Sequence, residues 1–291
     1  MKKNKILITG AGGSLGQTLL ELLNDKDECY IPLVKNNKRN IKNSIQCDIR
    51  NYDSINKIIS EVKPTHIIHL AGITGNIECE KNPDDAFQTN VYGTFNVLKS
   101  CLKIKPKIIF SSSREVYGDS KIKFNEKSLL NPININGITK MMGENLILNY
   151  NQLHKIPYSI IRFTNFYGEN FSKRGITKMI KIALDNKKIT VFGGDQQIDL
   201  IHFNDAAKGL LKSLDTKKSG IYNIGSGKSR TILQLIEDIE KFSKIKIKFN
   251  KKQNRYFEVK KFRIDISKAK KDLDFQPSIK FQDVLKQIKK F

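Results

Sequence analysis

The first regular pattern in the chain is Lys5-Ile6-Leu7-Ile8-Thr9, a short apolar run that enters a glycine cluster. Residues 15–23 follow with apolar positions at helical spacing. Further apolar runs of strand length lie at 30–34, 66–70, 107–111 and 158–162. The stretches between them predict helices near 53–62, 83–103 and 136–152. Asn82-Pro83-Asp84-Asp85 reads as a helix start, with a capping side chain, proline in the first turn and acids facing the positive end of the dipole. Strand and helix alternating at this spacing predict an α/β architecture, a parallel sheet wrapped on both faces. No Pro/Gly/Ser-rich linker and no internal repeat interrupts it.

Thr9-Gly10-Ala11-Gly12-Gly13-Ser14-Leu15-Gly16 joins the first strand to the first helix. Gly10 permits the tight turn, Gly13 lets the backbone approach a pyrophosphate, and Gly16 allows the helix to pack closely on the strand. The free N–H groups at the helix start, around Ser14 and Leu15, then face the phosphates. A Rossmann-type, doubly wound parallel sheet is expected, with a smaller C-terminal α/β substrate lobe. The dinucleotide-binding domain is placed at 1–165. The lobe, mainly 166–291, is interleaved with the sheet through roughly 198–225.

Gly-x-x-Gly-x-x-Gly after threonine resembles the extended short-chain dehydrogenase/reductase family, the NAD-dependent epimerase/dehydratases, and matches continue along nearly the whole chain. Cys47-Asp48-Ile49-Arg50 is similar to the family's adenine clamp. His69-Leu70-Ala71-Gly72 is similar to its fourth-strand segment beside the cofactor, and Asn90-Val91-Tyr92-Gly93-Thr94 to the helix that follows. Phe110-Ser111-Ser112-Ser113-Arg114-Glu115-Val116-Tyr117-Gly118 is similar to the active-site strand and turn. The resemblance implies cofactor contacts at Asp48, Ile49, Leu70, Ala71, Gly72, Asn90 and Lys140 besides the glycine turn. NAD sites favour an acid at the end of the second strand. Here Lys35 stands there, with Lys38 and Arg39 nearby. These cations leave NAD open and tip the reading toward NADP, whose 2′-phosphate they would accommodate.

In the resembled family a tyrosine and a lysine one helical turn apart both face the nicotinamide. The lysine holds the ribose and lowers the phenol's pKa. The tyrosine takes the sugar hydroxyl proton, and a serine or threonine steadies that hydroxyl. Residues 131–140, Asn-Pro-Ile-Asn-Ile-Asn-Gly-Ile-Thr-Lys, keep the family's Pro-x-x-x-Tyr-Gly-x-[Ser/Thr]-Lys pattern except at the tyrosine, where Asn136 stands. By this match Ser113 is the hydroxyl, Lys140 the lysine, and Asn136 fills the catalytic position. An amide does not ionise in the working pH range, and losing a general base costs about 10²–10⁴-fold in rate. The chain is then a near-inactive homologue, a Tyr→Asn variant, or a protein in which another residue moves the proton. Glu115 is the best substitute, because it matches the glutamate of nucleotide-sugar 4,6-dehydratases. The acid those enzymes place just before it is Arg114 here. Tyr117 and Tyr167 lie on active-site segments and read as core.

Ile161-Arg162-Phe163-Thr164-Asn165-Phe166-Tyr167-Gly168 resembles the family's Arg-x-x-Asn-x-Tyr-Gly, whose asparagine, here Asn165, contacts the substrate diphosphate. Thr190-Val191-Phe192-Gly193-Gly194-Asp195-Gln196-Gln197 resembles its strand and glycine turn over the base. The family continues with Arg-Asp; this chain has Ile198-Asp199, and an isoleucine cannot make the bidentate phosphate contact. Arg255, followed by Glu258, matches a later element and keeps one phosphate contact. The implied substrate residues are Ser113, Asn165 and Arg255.

At 291 residues the chain can bury a sizeable core. No apolar run approaches membrane-spanning length. Four widely spaced cysteines suggest a reduced, cytoplasmic setting, and the histidines at 66, 69, 154 and 202 form no metal-ligand spacing. The net charge of +23 raises nucleic acid as a partner, but only 8 of the 52 basic residues are arginine and the lysines are scattered rather than clustered. A lysine-rich surface that helps gather a polyanionic small substrate is the better reading. The expected function is therefore NAD(P)-dependent epimerase/dehydratase chemistry on a nucleotide diphosphate sugar, by transient oxidation of a hexose ring carbon. The alternative is a catalytically weak cofactor- and sugar-nucleotide-binding protein with a regulatory or scaffolding role. The resemblance also implies a homodimer through helices near 86–103 and 137–152, with Phe87, Val91, Leu98, Met141, Leu146 and Leu148 as apolar material.

Overall fold

The computed structural model describes residues 4–24, 29–168, 175–185, 188–244 and 246–287. Twelve strands are found there: β1 Lys5–Thr9, β2 Cys29–Val34, β3 Ile45–Gln46, β4 His66–His69, β5 Lys107–Ser113, β6 Tyr158–Phe163, β7 Asn165–Tyr167, β8 Ile189–Phe192, β9 Gln197–His202, β10 Gly220–Ile224, β11 Ser229–Thr231 and β12 Phe249–Lys252. The helices are α1 Ser14–Asn24, α2 Tyr52–Val62, α3 Asn76–Lys81, α4 Pro83–Phe87, α5 Gly93–Ser100, α6 Ile135–His154, α7 Gly175–Leu184, α8 Phe203–Asp215, α9 Ile232–Ser243, α10 Ser267–Leu273 and α11 Phe281–Gln287. Seven strands form one sheet in the order β10-β6-β5-β4-β1-β2-β3, with every pairing parallel. The chain leaves β1 toward β2 and β3, then returns to lay β4 on the other side of β1. That reversal opens a crevice at the carboxyl ends of β1 and β4. Its last strand, β10, is residues 220–224, so the sheet draws on sequence well beyond 165.

Both faces of a parallel sheet are covered, so successive strand residues must enter two different cores. Ile6, Ile8, Ile68, Ile109, Ile161 and Tyr222 pack with α1, α8 and α10. Leu7, Ile67, Ile108, Phe110 and Ile160 pack with α2, α5 and α6. The C-terminal lobe adds a third core from Ile189, Val191, Ile198, Leu200, Leu235, Ile236 and Ile239, and a small fourth one surrounds Tyr117 and Phe262. Two short sheets belong to this lobe, β11-β9-β7 and β12-β8.

Several sequence expectations need correction. The helix expected over 83–103 is α4, a π-helical turn at Gln88–Tyr92 and α5, which ends at Ser100. Asn82 does not cap α4; its side chain turns back to the Glu78 carboxylate at 3.0 Å. The strand expected at 107–111 runs on to Ser113. Leu98, named among the apolar material of the helices implied in a dimer, is 1% exposed in the core beneath α5. The apolar residues that these two helices do expose include Tyr92, Met142 and Leu153. Tyr117 and Tyr167 are core residues, as their packing suggested, and His69 is bridged between Thr9 and Thr94 hydroxyls at 2.7 and 3.0 Å. Burial pushes the His69 imidazole down to about 3, so it stays neutral.

Buried polar groups tie the large sheet to the segments packed on it. The Glu144 carboxylate accepts from Arg162 Nε and Nη2, and Arg162 also donates to Tyr117, whose hydroxyl reaches Asn223. Asp199 on β9, fully buried, accepts from Ser226 N at 2.8 Å, and burial pushes its carboxyl up to about 6. A raised folded-state pKa stabilises the fold below the ordinary carboxylate range, near 4, and that contribution is lost as pH rises through about 6. Asp199→Asn keeps an acceptor for Ser226 and cannot ionise. It is expected to match the wild type below pH 4 and to be more stable at pH 8, by up to about 3 kcal/mol. Urea unfolding at both pH values measures this, and equal stability at pH 8 would refute it.

Candidate active site

Asn136 and Lys140 lie one turn apart on the buried face of α6. That helix begins at residue 135 because Asn134 caps it, accepting from Gly137 N at 2.8 Å. It crosses the end of β5, where Ser113 closes the strand in an extended conformation and accepts from Glu115 N at 3.2 Å. Lys140 Nζ donates to Ser111 O at 2.6 Å and stands 5.0 Å from the Phe110 ring centroid. A Cβ on Gly72 would come within 3.5 Å of the same nitrogen. Lys140 therefore joins the active-site strand to the crevice, and burial pushes its ammonium down to about 8.

The crevice measures about 400 Å³. Its walls include Gly10, Gly12 and Gly13 after β1; Lys35, Asn36, Lys38 and Arg39 after β2; Cys47 to Arg50 after β3; and Leu70 to Ile73 after β4. The residues present fit a dinucleotide. Gly10 has φ +72°, and a Cβ there would lie 2.5 Å from Ala71 N, so only glycine lets the two strand ends approach. At Gly16 a Cβ would lie 2.6 Å from Ala11 O, which seats α1 on the turn. At Gly13 the added atom would meet only Gly10 O, at 3.2 Å, so this side of the turn faces open crevice.

Of the expected cofactor residues, Gly10, Gly13, Lys35, Asp48, Ile49, Leu70, Ala71 and Gly72 line the crevice. Ser14, Leu15, Gly16, Asn90 and Lys140 lie behind or beside that lining. Leu15 is packed in the core under the turn. Asn90 Nδ2 donates to Ile73 O and Thr139 Oγ1, while its Oδ1 accepts from Ile73 N at 2.8 Å. It thus ties the crevice wall to α6 just before Lys140. Asp85 and Thr89 also line the crevice and were not anticipated. Thr89 belongs to the π-helical turn, which has no period of its own in the sequence. The Asp48 carboxylate is chelated by Arg50 Nε and Nη2 at 3.0 and 2.6 Å and lies 3.4 Å from Lys35 Nζ. Arg50 above all holds its carboxyl down to about 2.

Beyond the crevice, amides surround a single carboxylate. Glu115 Oε2 accepts from Asn134 Nδ2 at 2.7 Å and Asn76 Nδ2 at 3.2 Å, and Oε1 lies 2.9 Å from Arg114 Nη2. These three groups take up most of the carboxylate's lone-pair positions and hold it in place. Asn136 Nδ2 donates to Asn76 Oδ1 at 3.2 Å, while Asn136 Oδ1 is buried with no partner among the described residues. Asn76 was not a sequence candidate, since nothing in its local pattern marks it. The chemistry available at position 136 is hydrogen-bond acceptance, not proton removal.

In the lobe, Asn165 opens β7 with its Oδ1 buried and unpartnered among the described residues. Arg255 lies 3.6 Å above the Phe192 ring and donates to Glu258 Oε1 at 2.6 Å. Ile198 packs into the lobe core.

Residues 6–225 match the sequence model of the NAD dependent epimerase/dehydratase family. A Methanocaldococcus jannaschii protein named "Putative UDP-glucose 4-epimerase" is 32% identical, over 97% of this chain and 96% of its own. UDP-glucuronic acid decarboxylase 6 of Arabidopsis thaliana is 28% identical, over 97% of this chain and 86% of its own. Among solved structures, the UDP-glucuronic acid 4-epimerase of Bacillus cereus, in complex with UDP-glucuronic acid and NAD, superposes with a TM-score of 0.88 at 28% identity, covering 97% of this chain and 96% of that one.

Gly13→Val and Gly10→Ala are expected to separate ligand space from fold space. The first should keep the wild-type melting temperature while dinucleotide affinity falls about tenfold or more. The second should lower the melting temperature itself, because its Cβ meets backbone. Calorimetry and thermal melts decide; undiminished dinucleotide binding by Gly13→Val would remove the turn from the site.

Proposed function

The chain belongs to the NAD-dependent epimerase/dehydratase family, and we propose that it binds NAD(P) and a nucleotide diphosphate sugar and oxidises a hexose ring carbon transiently, with turnover held down by Asn136. The observation that carries this reading is the seating of Lys140 between Ser111 O and the Gly72 wall, with Asn136 one turn away and Ser113 at the end of the same strand. Relatives of the chain bear the names of both 4-epimerases and uronic acid decarboxylases. Inverting a carbinol carbon and losing carbon dioxide beside a ring ketone both begin by oxidising a ring hydroxyl, so one site architecture serves either reaction.

In this scheme Gly10, Gly13 and the start of α1 receive the pyrophosphate, and Asp48 and Ile49 flank the adenosine end. The bound coenzyme supplies a hydride acceptor. Ser113 orients the sugar hydroxyl, and Lys140 positions the nicotinamide ribose. Asn136 Oδ1 can accept a hydrogen bond from that hydroxyl but cannot keep its proton. The resulting loss is about 10²–10⁴-fold in rate. Glu115, with three donors on its oxygens, is a poor replacement for the missing phenol.

The rim supports NADP over NAD: Lys35, Lys38 and Arg39 line it and no acid ends β2. A homodimer through α6, α5 and the π-helical turn before it is supported by exposed Tyr92, which stacks on Phe95, and exposed Leu153.

Asn136→Tyr should raise turnover at least tenfold on UDP-glucose or UDP-glucuronic acid, followed by product analysis. No gain on any nucleotide sugar would clear Asn136 of responsibility. In equilibrium titrations NADP should bind more tightly than NAD, and Lys35→Ala should narrow the gap. Tighter binding of NAD would reverse the coenzyme assignment.

A further inference from the structure

Two fixed points decide which way each amide around Glu115 faces. A backbone N–H can only donate, and a carboxylate oxygen can only accept. Asn134 turns Oδ1 to Gly137 N at 2.8 Å, so its Nδ2 faces Glu115 Oε2 at 2.7 Å. The same Oε2 meets the Asn76 amide at 3.2 Å, which obliges Asn76 to present Nδ2 there and Oδ1 to its other side. Asn136 meets that Oδ1 at 3.2 Å and must present Nδ2 in turn. Its own Oδ1 ends the chain, buried and without a hydrogen-bond partner among the described residues. Reversing Asn76, Asn136 or both sets two oxygens against each other somewhere along the chain. The orientation at position 136 is thus inherited from Glu115, two links away.

Asn76 is held firmly enough to pass this on. Gly75, at φ +92°, turns the backbone into α3. Cys79 Sγ then donates to Ile73 O at 3.6 Å, and Glu80 Oε1 accepts from Ile135 N, the first residue of α6, at 2.9 Å. The helix that carries Asn76 is therefore pinned to the helix that carries Asn136. Ile73, three residues before Asn76, lines the crevice, and Lys140, one turn after Asn136, faces the Gly72 wall. Asn136 stands where α3 and α6 meet, next to the end of that wall. A buried acceptor without a donor is costly, and a polar ligand that brings a donor completes it.

We infer that Asn76, aimed by the Glu115 carboxylate, fixes position 136 as a hydrogen-bond acceptor, and that the site thereby selects a sugar whose reacting ring carbon bears a hydroxyl over one bearing a group that cannot donate. The inference rests on the nucleotide-sugar reading above and makes Asn76 and Glu115 positioning residues. A ring hydroxyl donates to Oδ1 and completes the web. A ketone has no O–H, so it meets Oδ1 oxygen to oxygen and leaves it unpaired. A phenol both donates and accepts and would draw no such distinction. The amide, with Nδ2 committed to Asn76, can only accept.

The test uses the full chain saturated with its preferred reduced coenzyme, which leaves the sugar alcohol unoxidised. Calorimetry then follows UDP, UDP-glucuronic acid and the 4-deoxy-4-fluoro analogue of that sugar nucleotide, which cannot donate. The wild type should bind the alcohol about fivefold or more tighter than the fluoro sugar. Asn76→Ala frees the Asn136 amide to turn, and should narrow that ratio to within about twofold while UDP affinity holds. Asn76→Asp also loses the donor to Glu115, but it accepts through either oxygen, with one proton shared between the two carboxylates. It should keep the wild-type ratio. Asn136→Leu should bind both sugars alike. A wild-type ratio near one overturns the inference, as does an unchanged ratio in Asn76→Ala. Equal loss of the ratio in Asn76→Ala and Asn76→Asp overturns it too, because the contact with Glu115 would then matter and the acceptor would not. If Asn76→Ala does not fold, a ratio kept in Asn76→Asp and lost in Asn136→Leu supports the inference, and any other pair of results overturns it. A wild type that binds UDP and UDP-glucuronic acid without distinguishing the fluoro sugar leaves the nucleotide-sugar reading standing alone. One that binds neither takes both readings down.

Discussion

The backbone of the first turn passes the end of β4 so closely that no side chain fits between them. A Cβ at position 10 would overlap the Ala71 peptide, and one at 16 would overlap that of Ala11. This contact is where the sheet reverses direction, with β2 laid on one side of β1 and β4 on the other. Because the two flanking connections run to opposite faces, the strand ends part there and leave a crevice that a dinucleotide can enter. Lys140 reaches this crevice from α6, and Asn90 clamps its wall to the same helix. The remainder of the site is arranged around that approach.

Beside the crevice is a polar web of uncommon composition. Three asparagine amides and one glutamate share a handful of hydrogen bonds around position 136, with one arginine ion-paired to the glutamate. Amides bring both donors and acceptors without charge, so such a web can hold a hydroxylated ligand while offering it no base. Among the described residues, Arg114 keeps Nε and Nη1 buried without hydrogen-bond partners, and Asn136 does the same with Oδ1. Unfilled buried groups of this kind are costly, about 1–3 kcal/mol each, and they concentrate where a polar ligand would complete them. Under the proposed function, binding and proton transfer would be separable: the crevice and Lys140 would seat the ligands, while position 136 offers an amide.

The C-terminal lobe fixes its side chains chiefly through strand pairing. Scattered lysines raise the general field but do not select geometry. The small β11-β9-β7 sheet fixes the relative positions of Asn165, Ile198 and Arg230 through its pairing. A residue's partner across a strand pair matters there as much as its neighbour in sequence.

Much of this was legible in the residues alone. The glycine spacing and the alternation of apolar runs determined the doubly wound sheet, because tight turns and two-sided burial restrict residue types position by position. The juxtaposition of Asn136 and Lys140 was legible too, since α6 spaces them by one turn. What sequence did not reveal depends on contacts between distant segments. The placement of Thr89 on the crevice, the burial of Leu98, the amide donors on Glu115 and the placement of Arg230 opposite Ile198 all arise this way. A local pattern records which face a residue prefers, but which partner waits on that face is set only when the chain has folded.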